Sequence, residues 1–527
     1  MPNVHKSGLY KLAQAAVLLS CSALIATPTL AEPYGPSPDN PKQGGSLNLG
    51  SLVEPPALDP FHQAADARIR VSVLVYQGLL YEDASGVAQP LLAEQYEVSE
   101  DGLRYTFKIR SGVKFHTGAT MTPADVKYSY DYIRDPANGS PGAKDFATIE
   151  AINLLADDTV EFVLSEPNAA LPMTLTNKYG AVVPQGTFDD PAAKAALNQT
   201  SVGTGPFKLA AFETNSYLRL VRFEDYWQAG LPYLDEVTFL FMPNSAAMLV
   251  GLQNQRIDLA LLDRPQDIDR IEKLDHIEVK RWPSLNQKAL DLDSAYGPLQ
   301  DVRVRQAISL AIDKQKIMEA AFSGYGQVIG TMVAGMQETW GVPLSELPMQ
   351  GPDLAAARQL MADAGQSDGL EMDLITIIGY DWMDPAALTL AQQLSEIGIT
   401  LNIQKLELGV WIQNFRSRQM KLTFNDWATS PDPNLLFYRH FHKQPEGADF
   451  RNWNNDKASA LLDQGRTEPD PGKRRDIYLD FQRELATTVP TIMLFSADWI
   501  SAANRKVKNY QHHPTGWYFG LVKTYLD

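Results

Sequence analysis

The chain has 527 residues, 44% hydrophobic and 21% charged, an ordinary globular balance with apolar material for more than one core and a length that suggests about three structural units. Its 46 Lys and Arg against 63 Asp and Glu give a formal charge of −17, which disfavours a nucleic-acid partner, because a phosphate backbone attracts the opposite surplus. One cysteine excludes a disulfide scaffold and every multi-cysteine zinc or iron–sulfur site, and a mean hydropathy of −0.23 argues against a helical membrane protein.

The one long apolar run is at the N-terminus. Lys6 and Lys11 form a basic start, Leu12 to Ala26 is apolar apart from Gln14, Ser20, Cys21 and Ser22, and small residues stand at Thr29 and Ala31. This pattern reads as a signal peptide, residues 1–31, cleaved after Ala31. The run is short for a membrane span and Pro28 breaks its end. A second reading is lipidation at Cys21, where Leu18-Leu19-Ser20-Cys21 approximates a lipobox. Cleavage after Ala31 leaves a mature chain without cysteine that works in the periplasm, outside the cytoplasmic membrane.

A Pro-rich lead, Glu32 to Gly45, follows as a tether. Ser46 to Leu52 alternates like a strand, and Gln95 to Phe115 is strand-rich with a turn at Ser99-Glu100-Asp101-Gly102. Thr122, Pro123 and Asp125 supply an N-cap, a first-turn proline and an N3 acid for a helix. Strands are expected at Thr159 to Leu164, Tyr217 to Arg222 and Val237 to Phe241. The second half alternates helix and strand. Asp301 caps a long amphipathic helix that runs through Val304, Ala307, Ile308, Ala311, Ile317 and Ala320 and stops at Gly324. Asp353 caps another; then come a strand Glu371 to Ile378, a helix Pro385 to Ile397 and a strand Ile399 to Leu406. Helices Asp456 to Gly465 and Pro471 to Thr487 precede a strand Thr491 to Phe495. A β-rich first lobe and an α/β second lobe leave a cleft between them.

No nucleophile elbow, P-loop or H-E-x-x-H zinc motif occurs, and Gly324-Tyr325-Gly326 lacks the third glycine of a dinucleotide fingerprint. His440 and His442, read as alternate residues of a strand, and the adjacent His512 and His513 are too sparse a set for a metal site. No catalytic residue, metal ligand or cofactor is expected.

The stretch L-A-E-Q-Y-E-V-S-E-D-G-L-R-Y-T-F-K-I-R-S-G-V-K-F-H within residues 92–133 resembles the signature of the family 5 extracellular solute-binding proteins, the dipeptide- and oligopeptide-binding components of ABC importers. Further blocks agree in order: Ala57-Leu58-Asp59-Pro60, V-G-T-G-P-F-K at 202–208, Y-W-Q-A-G-L-P-Y-L-D-E-V at 226–237 and V-R-V-R-Q-A-I-S-L-A-I-D-K at 302–314. The resemblance implies an α/β, two-lobed periplasmic-binding-protein fold with a hinge and an extra inserted subdomain in the first lobe. Lobe I would comprise 32–85, 201–298 and 499–527, its inserted subdomain 86–200, and lobe II 299–498. Asp101-Gly102, Arg110 to Phe115, Trp227 and Tyr233 are read as structural, and Arg303 and Arg305 as ion-paired at a helix start.

The ligand wall implied by the resemblance is Asn425-Asp426-Trp427-Ala428-Thr429-Ser430-Pro431-Asp432-Pro433. Many peptide-binding members carry W-A-D-Y-P-D-P here, whose first Asp pairs with the peptide's ammonium; this chain has Thr429 and Ser430 instead. A hydroxyl accepts a hydrogen bond but cannot neutralise a desolvated ammonium, so Asp426 or Asp432 would have to supply that charge. Trp427 is expected to stack on ligand, with Trp382 and Trp411 as further candidates. The function implied is capture of a small peptide or peptide-like solute for the permease subunits in the inner membrane, by a monomer. The alternatives are a non-peptide solute (opine, sugar, glutathione, heme or nickel complex) or an exported hydrolase.

Overall fold

The computed structural model describes residues 33–62, 66–176, 179–197, 199–262, 265–428, 431–443 and 451–527, so the leader read at 1–31 lies outside the described residues. Three sheets carry the architecture. The first has seven strands in the order Ile277–Trp282, Trp499–Asn504, Leu259–Leu262, Ser46–Ser51, Glu236–Phe241, Tyr217–Arg222 and Phe207–Glu213. Alternate residues of these strands, Leu47 and Leu49, Leu218 and Leu220, Val237 and Phe239, turn into one core, as the period of two requires.

A four-stranded antiparallel sheet, with Ala93–Val98, Arg104–Ile109, Thr159–Leu164 and Ile149–Ala156 side by side in that order, lies within the stretch read as an inserted subdomain. Its inward residues Phe107, Val160 and Phe162 share a core with Val126, Tyr130 and Ile133 of the helix Pro123–Arg134. That helix starts as its sequence predicts, with the Thr122 N–H donating to Asp125 Oδ2 at 2.7 Å.

The second lobe is built on six strands in the order Gly326–Val328, Thr491–Ala497, Asn286–Leu292, Leu422–Ala428, Leu370–Ile377 and Ile399–Leu406. Two separate apolar clusters, one around Phe424, Leu374 and Trp382 and one around Met493, Phe437 and Phe481, cover it with helices. The strand Asn286–Leu292, ahead of the boundary read at residue 298, is hydrogen-bonded to Leu422–Ala428 and Thr491–Ala497 in the middle of the second sheet.

The long helix expected from Asp301 is two helices, Val302–Ala311 and Lys314–Phe322. Ile312 is extended, with ψ 119°, and the Asp313 side chain accepts from the Lys316 N–H to cap the second helix. The apolar stripe is continuous in sequence because both helices bury their inward residues, Val304 and Ile308 in one and Ile317 and Ala321 in the other, in the same core. Arg303 forms the expected ion pair, with Asp301. Arg305 does not: its buried guanidinium donates to the carbonyls of Leu299 and Thr488.

The V-G-T-G-P-F-K block has a steric cause. A Cβ on Gly203 would stand 2.0 Å from the Val75 carbonyl oxygen and one on Gly205 2.5 Å from that of Leu74, so only glycine lets this loop lie against that backbone. Trp227 and Tyr233 serve packing: Tyr233 is buried, and the Trp227 indole lies under Arg110 and donates to Gln77 Oε1 at 3.1 Å.

The chain crosses between the two large sheets at residues 283–285 and again at Asp498. The crossings are tied together. Buried Ser284 donates through Oγ to the Ala497 carbonyl at 2.5 Å, and Arg281 pairs with Asp498 at 2.5 Å. The helix break yields a test: Asp313→Ala removes the second helix's N-cap and should lower the stability measured by urea unfolding by about 1 kcal/mol.

Candidate functional site

Both sheets turn the same end toward the crossings. In the first, Ser46–Ser51 runs parallel to Glu236–Phe241 and to Leu259–Leu262, and Ile277–Trp282, antiparallel to Trp499–Asn504, leads directly into the first crossing. In the second, Leu370–Ile377, Ile399–Leu406 and Leu422–Ala428 run parallel and end at the edge where Asn286 enters and Ala497 leaves. Carboxyl ends of parallel strands are where open α/β sheets hold ligands, so the cleft between these two edges is the candidate site.

The expected ligand wall begins on the last residues of Leu422–Ala428 and continues past its end. Thr429 and Ser430 lie outside the described residues, as does the side chain of Trp427, whose backbone pairs in register with Gln287. The neighbouring residues alternate between the sheet's faces. Asn425 is buried on one face, donating to Asp291 Oδ2 at 2.8 Å, while Asp291 Oδ1 accepts from Thr491 Oγ1 at 2.6 Å and meets Arg451 at 3.2 Å. Asp426, on the other face, is paired with the Lys288 ammonium at 2.5 Å. Lys288 is itself buried, 5.5 Å from the ring centroids of both Phe322 and Trp382.

Asp432 has a double duty. Its Oδ1 accepts from the Asn434 N–H to cap the helix Pro433–Phe441, and its two oxygens face Arg474 Nη1 and Nη2, each at 2.8 Å. Arg474 also donates through Nε to the Gly465 carbonyl and lies against the rings of Trp340 and Tyr478. Burial works against the charge of Arg474, but the carboxylate of Asp432 outweighs it and raises the guanidinium pKa. Each carboxylate expected to meet a ligand ammonium therefore already holds a protein cation.

Trp382 packs among Phe322, Phe424 and Phe495. Trp411 stacks on Phe415 and donates to Thr423 Oγ1 at 2.8 Å. Both are buried in the second lobe. The histidine reading needs a correction. His440 lies within the helix Pro433–Phe441 and His442 is its C-cap, so the two are not alternate residues of a strand. His512 and His513 are buried, and burial lowers the pKa of His513 to about 4.

The lobes touch at points flanking the cleft. Glu166 pairs with Arg466 at 2.5 Å, and the Ala169 N–H donates to the Arg466 carbonyl at 2.9 Å. Gly86, with φ +76° at the tip of the hairpin Leu80–Glu82 and Ala88–Pro90, abuts Pro431; a Cβ there would stand 2.5 Å from Pro431 Cβ. On that hairpin is an acid that sequence reasoning passes over. Glu82 is 1% exposed, and neither carboxyl oxygen has a hydrogen-bond partner. Burial first, then the charge of Asp83, push its pKa well above the usual carboxylate range. In sequence, L-L-Y-E-D-A-S-G reads as a surface turn, with no sign of this enclosure.

The chain matches known proteins over most of its length. The family model described as bacterial extracellular solute-binding proteins, family 5 Middle, matches residues 87–449. A dipeptide-binding protein of Escherichia coli strain K12 is 24% identical over 544 residues, covering 98% of both chains. The ABC transporter-associated periplasmic binding protein DppA of Helicobacter pylori, solved in complex with the peptide STSA, superposes with a TM-score of 0.77 at 25% identity, over 92% of this chain and 98% of that one. The ABC transporter substrate-binding protein CtaP of Listeria monocytogenes gives a TM-score of 0.84 at 24% identity, over 92% of this chain and 100% of that one.

The Asp432–Arg474 geometry predicts the effect of its loss. Asp432→Asn strands a buried guanidinium and should destabilise the fold by about 3–5 kcal/mol in denaturant unfolding. Asp432→Leu combined with Arg474→Met should recover most of that loss.

Proposed function

Because the chain belongs to the bacterial extracellular solute-binding proteins of family 5, we propose that it captures a small peptide or peptide-like solute between its lobes and delivers it to the membrane permease of an ABC importer. The observation that carries this reading is topological. Two sheets face each other with the carboxyl ends of their parallel strands, across a pair of short crossings about which the lobes can rotate. Such a cleft encloses a solute on closure and releases it on opening, which suits delivery rather than chemistry. The protein acts in the periplasm, as a monomer without a cofactor, and binds solutes rather than transforming them.

The contact residues we propose are Trp427, Thr429 and Ser430, at the positions that the family resemblance implies. Asp426 and Asp432 fix the wall from either side through Lys288 and Arg474, and Asn425 fixes it through Asp291. Trp382 and Trp411 back the wall from within the lobe. The relative named for dipeptide binding and the neighbour solved with a peptide support the peptide reading, and the relatives named for glutathione binding, 25% identical, support glutathione beside it.

Thermal unfolding of the mature chain with each solute class separates these readings. Di- and tripeptides should raise the melting temperature by linkage, whereas a rise with a non-peptide class alone would replace the peptide reading. Trp427→Ala should weaken peptide binding about tenfold in titration calorimetry, close to 1.4 kcal/mol, while the melting temperature of the solute-free protein stays within a few degrees of wild type. A large fall in that temperature with unchanged affinity would make Trp427 a core residue.

A further inference from the structure

The strands Thr491–Ala497 and Trp499–Asn504 are one extended run shared by both large sheets, with the single residue Asp498 between its halves. Each half carries an edge strand of its own sheet. Ile277–Trp282 pairs with the later half so that Trp282 stands beside Trp499, and Gly326–Val328 pairs with the earlier half so that Gly326 stands beside Ala497. The two edge strands, one from each lobe, therefore meet end to end at Asp498.

Arg281 and Tyr325 fill that meeting point. The Arg281 guanidinium faces Asp498 Oδ2 through Nε at 2.7 Å and Nη2 at 2.5 Å, and lies over the Tyr325 ring, 4.8 Å from its centroid. Asp498 in turn donates its backbone N–H to the Tyr325 carbonyl at 3.3 Å. The two stacked groups are fixed to different bodies. Arg281 is held by its register with Ile500 in the first sheet, and Tyr325 by the bond from its N–H to the Phe322 carbonyl and the pairing of Gly326 with Ala497. On the other flank of the crossings the contacts run through backbone groups. There the Pro514 carbonyl accepts from the Leu285 N–H and from Trp499 Nε1, and the Gly335 N–H donates to the Ser284 carbonyl. A rotation that bends the run at Asp498 moves Tyr325 against Arg281, while the flexible Arg281 side chain keeps Asp498 within reach. The stack therefore differs in free energy between lobe angles, and such a contact biases the equilibrium between them. Here it is made together with the touching of the lobes at Gly86 and Pro431 and at Glu166 and Arg466, so it favours that arrangement.

We propose that Arg281 is a positioning residue for solute capture: clasped by Asp498 in the crossing and stacked on Tyr325 of the opposite lobe, it biases the hinge toward the arrangement in which the lobes touch. This rests on the solute-binding reading above. Neither Arg281 nor Tyr325 belongs to the ligand wall, so the effect reaches a solute through the lobe angle alone. Apparent affinity is the intrinsic affinity scaled by the fraction of chains in the binding-competent arrangement, and losing the stack lowers that fraction. A cation over an aromatic face at a half-exposed site corresponds to a factor of about two to five in affinity.

Variants of the mature chain separate the stack from the ion pair. Tyr325→Leu removes the ring and leaves the pair with Asp498, and Arg281→Lys keeps a cation for Asp498 but loses the planar face. In calorimetric titration each should weaken binding of a dipeptide pool and of a tripeptide pool about two- to fivefold, by the same factor for both pools. The double variant should bind no more weakly than the weaker single, because both changes remove one interaction. Tyr325→Phe, which keeps the ring, should bind as wild type does. The melting temperature of the solute-free chain should stay within a few degrees throughout. Unchanged affinity in both single variants, losses that multiply in the double, unequal factors for the two pools, or a loss in Tyr325→Phe equal to that in Tyr325→Leu each overturns the proposal. A fall in melting temperature of about ten degrees or more in Tyr325→Leu gives the contact a structural role and overturns it as well. If the wild type binds neither pool, the peptide reading falls and the hinge is judged without solute by small-angle X-ray scattering. A larger radius of gyration for Tyr325→Leu than for wild type then upholds the bias toward touching lobes, and an equal one overturns it.

Discussion

Everything in this molecule is organised by how the chain passes between its two large sheets. It does so at residues 283–285 and at Asp498, and nowhere else among the described residues do strands of one sheet lead directly into the other. Ser284 on the first crossing bonds to the Ala497 carbonyl beside the second, and the Arg281–Asp498 pair spans the two. Their short length leaves little room for independent movement, so the lobes turn about one locus. Because strand direction is fixed at these points, the carboxyl ends of both sheets face one another. A rotation there opens or closes the cleft without breaking a ladder hydrogen bond in either sheet.

The wall at the end of Leu422–Ala428 shows how such an edge is held firm. Side chains on a strand alternate between faces, so Asn425 and Asp426 reach into different halves of the lobe. One is gripped by the Asp291–Arg451–Thr491 network and the other by Lys288. Just beyond, Asp432 both caps a helix and pairs with Arg474, so the turn that follows the wall is anchored to helix Pro471–Thr488. Polar groups that resemble ligand contacts in sequence here hold the backbone of the strand and of the turn to other protein groups.

Much of the fold is legible from local pattern. Thr159–Leu164, Tyr217–Arg222 and Ile399–Leu406 form as strands between the residues expected, because their periodicity and flanking turns agree. What sequence misses is set by distant partners. The break at Ile312 and Asp313 is hidden because two helices serve one core. The strand Asn286–Leu292 carries no compositional mark of the lobe it joins; its place is decided by pairing with strands more than a hundred residues away. Asp432 is a plausible ligand contact until Arg474, 42 positions later, folds onto it. The enclosure of Glu82 likewise depends on residues near the C-terminus that no local reading connects to it.

The bridge between Glu166 and Arg466, with the adjoining bond from the Ala169 N–H, joins the lobes at a place the ligand wall does not include. Where such a contact forms on closure, it adds the same amount to the capture of every solute, because it touches none of them. Strength of capture and choice of cargo are therefore separate properties of this chain. Drift at the 166–169 and 466 contact would then retune how readily the protein gives up its cargo to a permease.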